Sequence, residues 1–90
     1  MIQLSEIMAG KNYPESGTLL YGNIVQQLKD GQPIEIDLEG VLSLPSMFLN
    51  ASFGRIAKEC GIDTLRHKVT FHHITKAQAE RLQDYFKSIS

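Results

Sequence analysis

The sequence lacks the features that mark several large classes of protein. It has one cysteine, Cys60, so no disulfide can form within the chain. Its apolar runs are only a few residues long, which predicts no membrane span and no signal-peptide core at the N-terminus. Nine lysines and arginines, never clustered beyond isolated pairs, face ten acidic residues and give a formal charge of −1. This charge balance disfavours nucleic-acid binding. Without a predicted membrane span, signal peptide or disulfide, the protein is expected to be cytoplasmic.

The chain also lacks the motifs of common enzymes and cofactor sites. Neither GTLLYG nor GRIAKECG has the spacing, basic residue and hydroxyl of a phosphate-binding loop. Asp37 could serve as a general base, but no nucleophile or activating histidine lies at a recognisable spacing from it. We therefore expect no catalytic residue, no cofactor and no enzymatic activity.

Three short segments have the alternation or the residue types of β-strands. In MIQLSEI and in residues 34–38, apolar side chains alternate with polar ones. Residues 68–74 are rich in β-branched and aromatic side chains. In the middle segment, Glu35 and Asp37 share the face opposite the isoleucines, so this strand is expected to have a solvated side or to lie at a sheet edge.

Three longer segments have the spacing of helices with one apolar face. They are predicted over residues 16–30, over residues 46–60 and from Thr75 onward, where Thr75 and Gln78 form a capping box. Gly22, inside the first, is interpreted as a point of close approach to a neighbouring element. The apolar stripes and the middle strand predict the main buried side chains: Ile24, Leu28, Ile36, Leu38, Phe53, Ile56, Leu82 and Phe86.

The order of these elements predicts the fold class. Strand, helix, strand, helix, strand, helix with right-handed crossovers gives an α/β fold, a small sheet flanked by helices with residues 34–38 in its interior. No linker, repeat or low-complexity tract interrupts it, so residues 1–90 are expected to form one domain. Three short strands leave sheet edges to cover, and a homodimer is one way of covering them.

The segment GQPIEIDLEGVLSLPSMFLNASFGRI resembles the centre of the STAS superfamily, named for sulfate transporters and anti-sigma-factor antagonists. It is more similar still to a bacterial STAS-like family of small proteins, in which a v-x-l-D-F-x-G-V strand precedes a helix. Asp37, Gly40 and Val41 match that strand. Phe48 and the Phe53-Gly54 pair match the helix. With the flanking segments, the resemblance spans about residues 16–86.

The resemblance implies a non-catalytic regulatory module that binds another protein. Anti-sigma-factor antagonists bind a histidine-kinase-like ATPase through the loop after this strand and the start of the next helix. A serine at that helix start is phosphorylated, and the added charge breaks the complex. The resemblance therefore implies an ATPase of this kind, or another protein, as the partner.

The position of that serine is occupied by Met47 in this chain. Counting from Asp37 and counting back from Gly54 give the same result. Ser46, one residue earlier, is a displaced candidate phosphoacceptor, with Ser43 more distant. We interpret Ser46 as the N-cap of the second helix, because serine at a helix start commonly accepts a backbone N–H.

A partner-binding surface is predicted where the serine is replaced. Met47 is expected to point outward, because Phe48 is expected to pack inward as in the family. A flexible, polarizable methionine can fill an irregular pocket on a partner or on a second copy. The predicted surface consists of Leu44, Ser46, Met47 and Asn50.

A metal-binding protein or a small enzyme is the alternative interpretation. The residues that would serve it have the ligand types of a zinc site: His72, His73 and Asp37, with His67 and Cys60. His72 and His73 are adjacent on a predicted strand, so they are expected to point to opposite faces and not to bind one ion together. We expect scattered histidines without a metal, and Cys60 buried as a small hydrophobe.

Overall fold

A computed structural model describes residues 1–89, which form a three-stranded parallel sheet flanked by helices. The elements in chain order are β1 (Ile2–Gln3), α1 (Leu4–Met8), α2 (Tyr13–Lys29), β2 (Ile34–Asp37), α3 (Ser46–Ala51), α4 (Phe53–Cys60), α5 (Ile62–Lys68), β3 (Val69–His72) and α6 (Lys76–Ile89). The strand order β1-β2-β3 places β2 in the interior. The predicted α/β fold class is confirmed. Within residues 1–89 no helix has the length and apolarity needed to cross a membrane.

The core lies on one face of the sheet. Ile2 of β1 is paired with Ile36 of β2, and Ile36 with Phe71 of β3, so their side chains form a row across the three strands. The ring of Phe53, at the start of α4, meets Phe71 and Phe86 edge to face, with centroids 5.9 Å apart in both pairs. The helices therefore pack on this face.

The predicted core is confirmed for most of its members. Those that are buried are Ile24, Ile36, Leu38, Phe53, Ile56 and Leu82, while Leu28 and Phe86 are partly buried. Cys60 was expected inside and is exposed, because it is the last residue of α4, beyond the part of the helix that packs on the core.

The predicted second helix is in fact two helices separated at Ser52. The backbone of Ser52 has φ −115° and ψ −90°, outside the helical region. Its Oγ donates to the carbonyl oxygen of Phe48 at 2.8 Å, the same oxygen that accepts its N–H at 3.1 Å. A serine that bonds the carbonyl four residues earlier often bends a helix, and here α3 ends and α4 begins at that residue.

Three other boundaries differ from the predictions. The N-terminal strand is only two residues long, because Leu4–Met8 is helical. Helix α2 begins at Tyr13, three residues earlier than predicted, since Asn12 caps it through a 2.8 Å bond from the N–H of Glu15 to Asn12 Oδ1. Helix α5 was not predicted, because seven residues with one buried side chain, Leu65, give no readable period.

The close approach predicted at Gly22 occurs at Gly17. A Cβ added to Gly17 would lie 2.6 Å from the Cβ of Ala51 and 2.7 Å from the carbonyl oxygen of Phe48. Nothing lies within 4 Å of a Cβ added to Gly22, which is exposed. Helices α2 and α3 are thus in close contact at Gly17, where there is no space for a larger side chain.

Candidate functional site

A tight turn follows β2 and is encoded by the family-like D-x-x-G-V pattern. Asp37 Oδ1 accepts the N–H of Glu39 at 2.9 Å, and the N–H of Val41 donates to the Leu38 carbonyl at 3.0 Å. Gly40 has φ +83°, a conformation that side chains other than glycine rarely adopt. Asp37 and Gly40 therefore have a structural role: they form the turn that directs the chain from the carboxyl end of β2 toward α3.

Three hydrogen bonds from α6 hold the rest of this loop. Gln78 Nε2 donates to the carbonyl oxygen of Val41 at 2.6 Å. Arg81 donates through Nε to the Leu44 carbonyl at 3.1 Å and through Nη2 to Ser46 Oγ at 2.9 Å. Leu44 is itself only 4% exposed, so the loop is anchored by a buried side chain as well as by its backbone.

The predicted capping box of α6 is confirmed and positions one of these donors. The N–H of Thr75 donates to Gln78 Oε1 at 3.0 Å, and the N–H of Gln78 donates to Thr75 Oγ1 at 3.1 Å. Gln78 thus uses its amide oxygen for the cap and its amide nitrogen for Val41. The start of α6 and the β2–α3 loop are consequently one hydrogen-bonded unit.

Two apolar side chains protrude here, Leu42 from the anchored loop and Met47 from the first turn of α3, and we call them the loop pair. Leu42 is 97% exposed and Met47 is 60% exposed. Phe48 is fully buried, so Met47 points outward and Phe48 inward as expected. Beside Leu42, a shallow cavity of about 360 Å³ separates the loop from the first turn of α6, with Pro45 and Ala77 in its lining.

The other predicted surface residues have different surroundings from those expected. Ser46 is not an N-cap: Pro45 has that position, and the Ser46 hydroxyl accepts from Arg81 instead. Leu44 is buried, which corrects the expectation that it stands at the surface. Asn50 is exposed, and its Oδ1 accepts the hydroxyl of Tyr85 at 2.7 Å. Leu42 was missed, since a single leucine in a loop has no periodic partner to mark it.

The sheet face opposite the core is polar. His72 Nε2 lies 2.9 Å from Glu35 Oε1, and His73 Nδ1 lies 2.9 Å from Asp37 Oδ1. Both histidines therefore lie on one face, and the prediction that they point to opposite faces is wrong. The reason is that His73 follows the end of β3 with φ +54°, which turns its ring back toward β2.

Asp37 and His73 favour each other's charged forms. The N–H of Glu39 and then the bond to His73 hold the pKa of the Asp37 carboxyl below its ordinary value of 3.8. The hydrogen bond to Asp37 and its negative charge raise the pKa of His73 above 6.5. The pair is thus charged on both sides in mildly acidic solution.

One group of side chains on this face could hold a metal ion. The ligand atoms of Asp37, Glu39 and His73 all lie within 4.8 Å of one another. His72 is outside the group because it is paired with Glu35. In the part of the chain that the structure describes, the other ligand candidates from the sequence, His67 and Cys60, belong to no such group.

The part of the chain that matches a known family includes this loop. A family model described as a STAS-like domain of unknown function (DUF4325) matches residues 16–79, from α2 into the first turn of α6. The chain belongs to this family. Neither a curated protein nor a solved structure matches it. In this STAS-like domain, the loop pair lies beyond the carboxyl end of the central strand.

Proposed function

We propose that this STAS-like domain is a non-catalytic regulatory module that binds a protein partner through the loop pair. The observation that carries the proposal is the exposure of Leu42 and Met47 on a loop and helix start that are held by three hydrogen bonds from α6. A segment that is already ordered loses little conformational entropy on binding. Two apolar side chains held in this way can therefore contribute more to the affinity, because a mobile loop would lose conformational entropy when it bound.

The partner class that we propose is a histidine-kinase-like ATPase. The support is the family resemblance together with the place of the loop pair, since anti-sigma-factor antagonists use the same loop and helix start. Met47 has no hydroxyl at the position that carries the phosphoserine. We therefore propose a constitutive contact. In this contact an apolar side chain occupies the position of the serine whose phosphorylation would otherwise break the complex.

Binding measurements with matched variants test this proposal. Purified histidine-kinase-like ATPases from the source genome are titrated with the wild type, Leu42→Asp and Met47→Asp in a calorimeter. An unpaired carboxylate in a dry interface is costly, so each substitution is expected to weaken binding by about tenfold or more. Leu19→Asp is the control, because Leu19 is 42% exposed on α2 and lines a different cavity, with Met1 and Asn23.

The outcomes of this titration are distinct. Binding that both loop substitutions weaken and Leu19→Asp leaves unchanged supports the module and its partner class. If the wild type binds none of the ATPases, the partner class is wrong. If it binds one of them and both loop variants bind equally well, the loop pair is not the contact.

Phosphorylation gives a second test of a constitutive contact. With ATP and a cognate serine kinase, we expect the chain to stay largely unphosphorylated, because Met47 occupies the acceptor position. The neighbouring Ser46 hydroxyl is already engaged by Arg81. Stoichiometric phosphate on Ser46 or Ser43, found by mass spectrometry, would contradict the constitutive contact and indicate a displaced switch.

Metal binding is the second candidate function, and it rests on the group formed by Asp37, Glu39 and His73. Two carboxylates and an imidazole suit a first-row divalent ion. Calorimetric titration with Zn²⁺ tests it, with His73→Asn as the variant that removes the imidazole. Site-specific binding requires one ion per chain in the wild type and a clear loss in His73→Asn; equal heats from both proteins would eliminate it.

A further inference from the structure

Strand β3 lies at an edge of the sheet. It pairs with β2 on one side, and within residues 1–89 no strand pairs with its other side. The carbonyl oxygen of His72 accepts the N–H of Leu38, so the backbone groups of His72 point toward β2. Because successive residues of a strand direct these groups to opposite sides, the N–H and C=O of Phe71 point to the outer edge. That edge offers backbone hydrogen bonds to another strand.

An apolar groove of about 420 Å³ runs beside this edge, between β3 and α6. Its lining includes Val69 and Phe71 from the strand and Leu82 and Phe86 from the helix. Val69, Phe71 and Phe86 are only partly buried. Apolar surface is therefore left open along the line where the side chains of an added strand would lie.

Basic side chains stand at one end of the groove. A second cavity of about 450 Å³ shares Gln83 and Phe86 with it and is lined further by Arg66 and Lys87. Exposed Lys68 follows in the same short stretch before β3. The groove is thus apolar along its length, and the exposed side chains of Arg66 and Lys68 lie near the end where β3 begins.

We propose that the outer edge of β3 and this groove bind an extended segment of a partner protein as a fourth strand. The segment has apolar side chains at alternate positions and an acidic side chain at the end that meets Arg66. Its backbone bonds to the β3 edge, and every second side chain enters the groove, since side chains alternate along a strand. The site is separate from the loop pair and does not depend on it.

The charges favour such a segment over a second copy of the chain. If a second copy supplied the added strand through its own β3, that strand and its flanks would be residues 66–76 of the other copy. Those residues, RHKVTFHHITK, contain no acidic side chain. The strand of a second copy would therefore bring no acidic side chain to Arg66, whereas an acidic segment supplies one.

Selection from a phage-displayed library of short random peptides tests the proposal. We expect the wild type to enrich peptides that alternate apolar and polar residues and carry Asp or Glu near one end. Arg66→Glu, at an exposed position, is expected to bind those peptides about tenfold more weakly and to enrich Lys or Arg at that end instead. Lys29→Glu, exposed at the end of α2, is the matched control and should select like the wild type.

A selected peptide then distinguishes strand addition from other modes of binding. The peptide can be N-methylated at its odd-numbered or at its even-numbered backbone nitrogens. One of these two sets should abolish binding, because it removes the N–H groups that donate to the β3 edge. Amide resonances of residues 69–74 and 82–87 should shift on titration. No enrichment, equal binding to Arg66→Glu, or shifts confined to the β2–α3 loop would overturn the proposal. So would a wild-type dimer that protects the β3 amides and excludes the peptide, since the occupant would then be a second copy.

Discussion

The two faces of the sheet are built from opposite kinds of side chain. The covered face has a row of apolar residues, Ile2, Ile36 and Phe71, beneath the helices. The other face has two hydrogen-bonded pairs, Glu35 with His72 and Asp37 with His73. Parallel sheets are usually covered by helices on both faces, so a parallel sheet with one polar face is a departure from the common pattern. In this domain, packing and titratable charge are separated by the thickness of one sheet.

That separation means that the two faces should respond to different perturbations. Close-packed interiors cannot absorb a change of volume without loss of contacts or strain, so the covered face should be sensitive to the size of a side chain. The polar face should respond to charge and pH, since its pairs are partly open to solvent. Substitutions that change one property at a time can test this comparison.

Phe53→Ala should produce the largest loss of stability. The Phe53 ring is 1% exposed and meets both Phe71 and Phe86, so its removal leaves a cavity between the sheet, α4 and α6. We expect the free energy of unfolding in urea to fall by about 3–5 kcal/mol. Leu42→Ala removes a side chain that is 97% exposed and should change it by less than about 0.5 kcal/mol. Similar losses in the two variants would contradict the assignment of the core to this face.

Gly17→Ala and Gly22→Ala compare crowding with open space within one helix. The methyl group added at Gly17 would collide with Ala51 and the Phe48 carbonyl, so the unfolding free energy should fall by about 1–3 kcal/mol. At Gly22 nothing is within 4 Å, and the better helix propensity of alanine should add up to about 1 kcal/mol. Urea unfolding of both variants checks the opposite signs. A loss at Gly22 would mean that another surface covers that part of α2.

Local signals in the sequence account for the parts of the fold that were predicted correctly. The alternation in residues 34–38 predicted a strand with one apolar and one polar face, and the order of the elements was used to place it in the interior, where it is found. The capping box of α6 depends only on Thr75 and Gln78, three residues apart, and it was predicted down to its two hydrogen bonds. Such features are set by neighbours in the chain, and the sequence displays those neighbours directly.

The features that were missed depend on distant partners or on one backbone angle. The role of Ser46 depends on Arg81, which is 35 residues away. Arg81 donates a hydrogen bond to the Ser46 hydroxyl, which was expected to cap the helix. The break at Ser52 follows from a side-chain bond to Phe48 that competes with the helix. The shared face of the two histidines follows from the positive φ of His73. None of these can be read from periodicity.

Arg81→Met tests the hydrogen bonds that hold the loop at the carboxyl end of β2. Methionine keeps much of the apolar stem and removes the donors to the Leu44 carbonyl and to Ser46 Oγ. We expect a loss of about 1–2 kcal/mol, because the carbonyl of a buried residue is left without its partner. Ser46→Ala removes one exposed acceptor and should cost about 0.5 kcal/mol or less. A larger loss in Ser46→Ala than in Arg81→Met, by urea unfolding, would restore the capping role.

The smallest expected effect is on the polar face, where His73→Asn should change how stability depends on pH. Asparagine tolerates the positive φ of this position, so the variant removes the charge of the imidazole without imposing a backbone conformation that is difficult to adopt. Because Asp37 raises the pKa of His73 above 6.5, the folded state binds the proton more tightly than the unfolded state. The stability from this pair is fully present below about pH 6.5 and is lost as the pH rises through the folded-state value.

Asp37 sets the lower limit of the same window. Its pKa is lowered from 3.8, so its contribution is present above that value and is lost as the pH falls through the lower, folded-state value. Urea unfolding in metal-free buffer should therefore show a larger advantage of the wild type over His73→Asn at about pH 5.5 than at about pH 8.5. His67→Asn, at an exposed position in α5, is the control and should not reproduce the trend. An advantage over His73→Asn that stays constant or grows as the pH rises would show that the pair contributes through packing, and the contrast between the two faces would then be one of shape rather than charge.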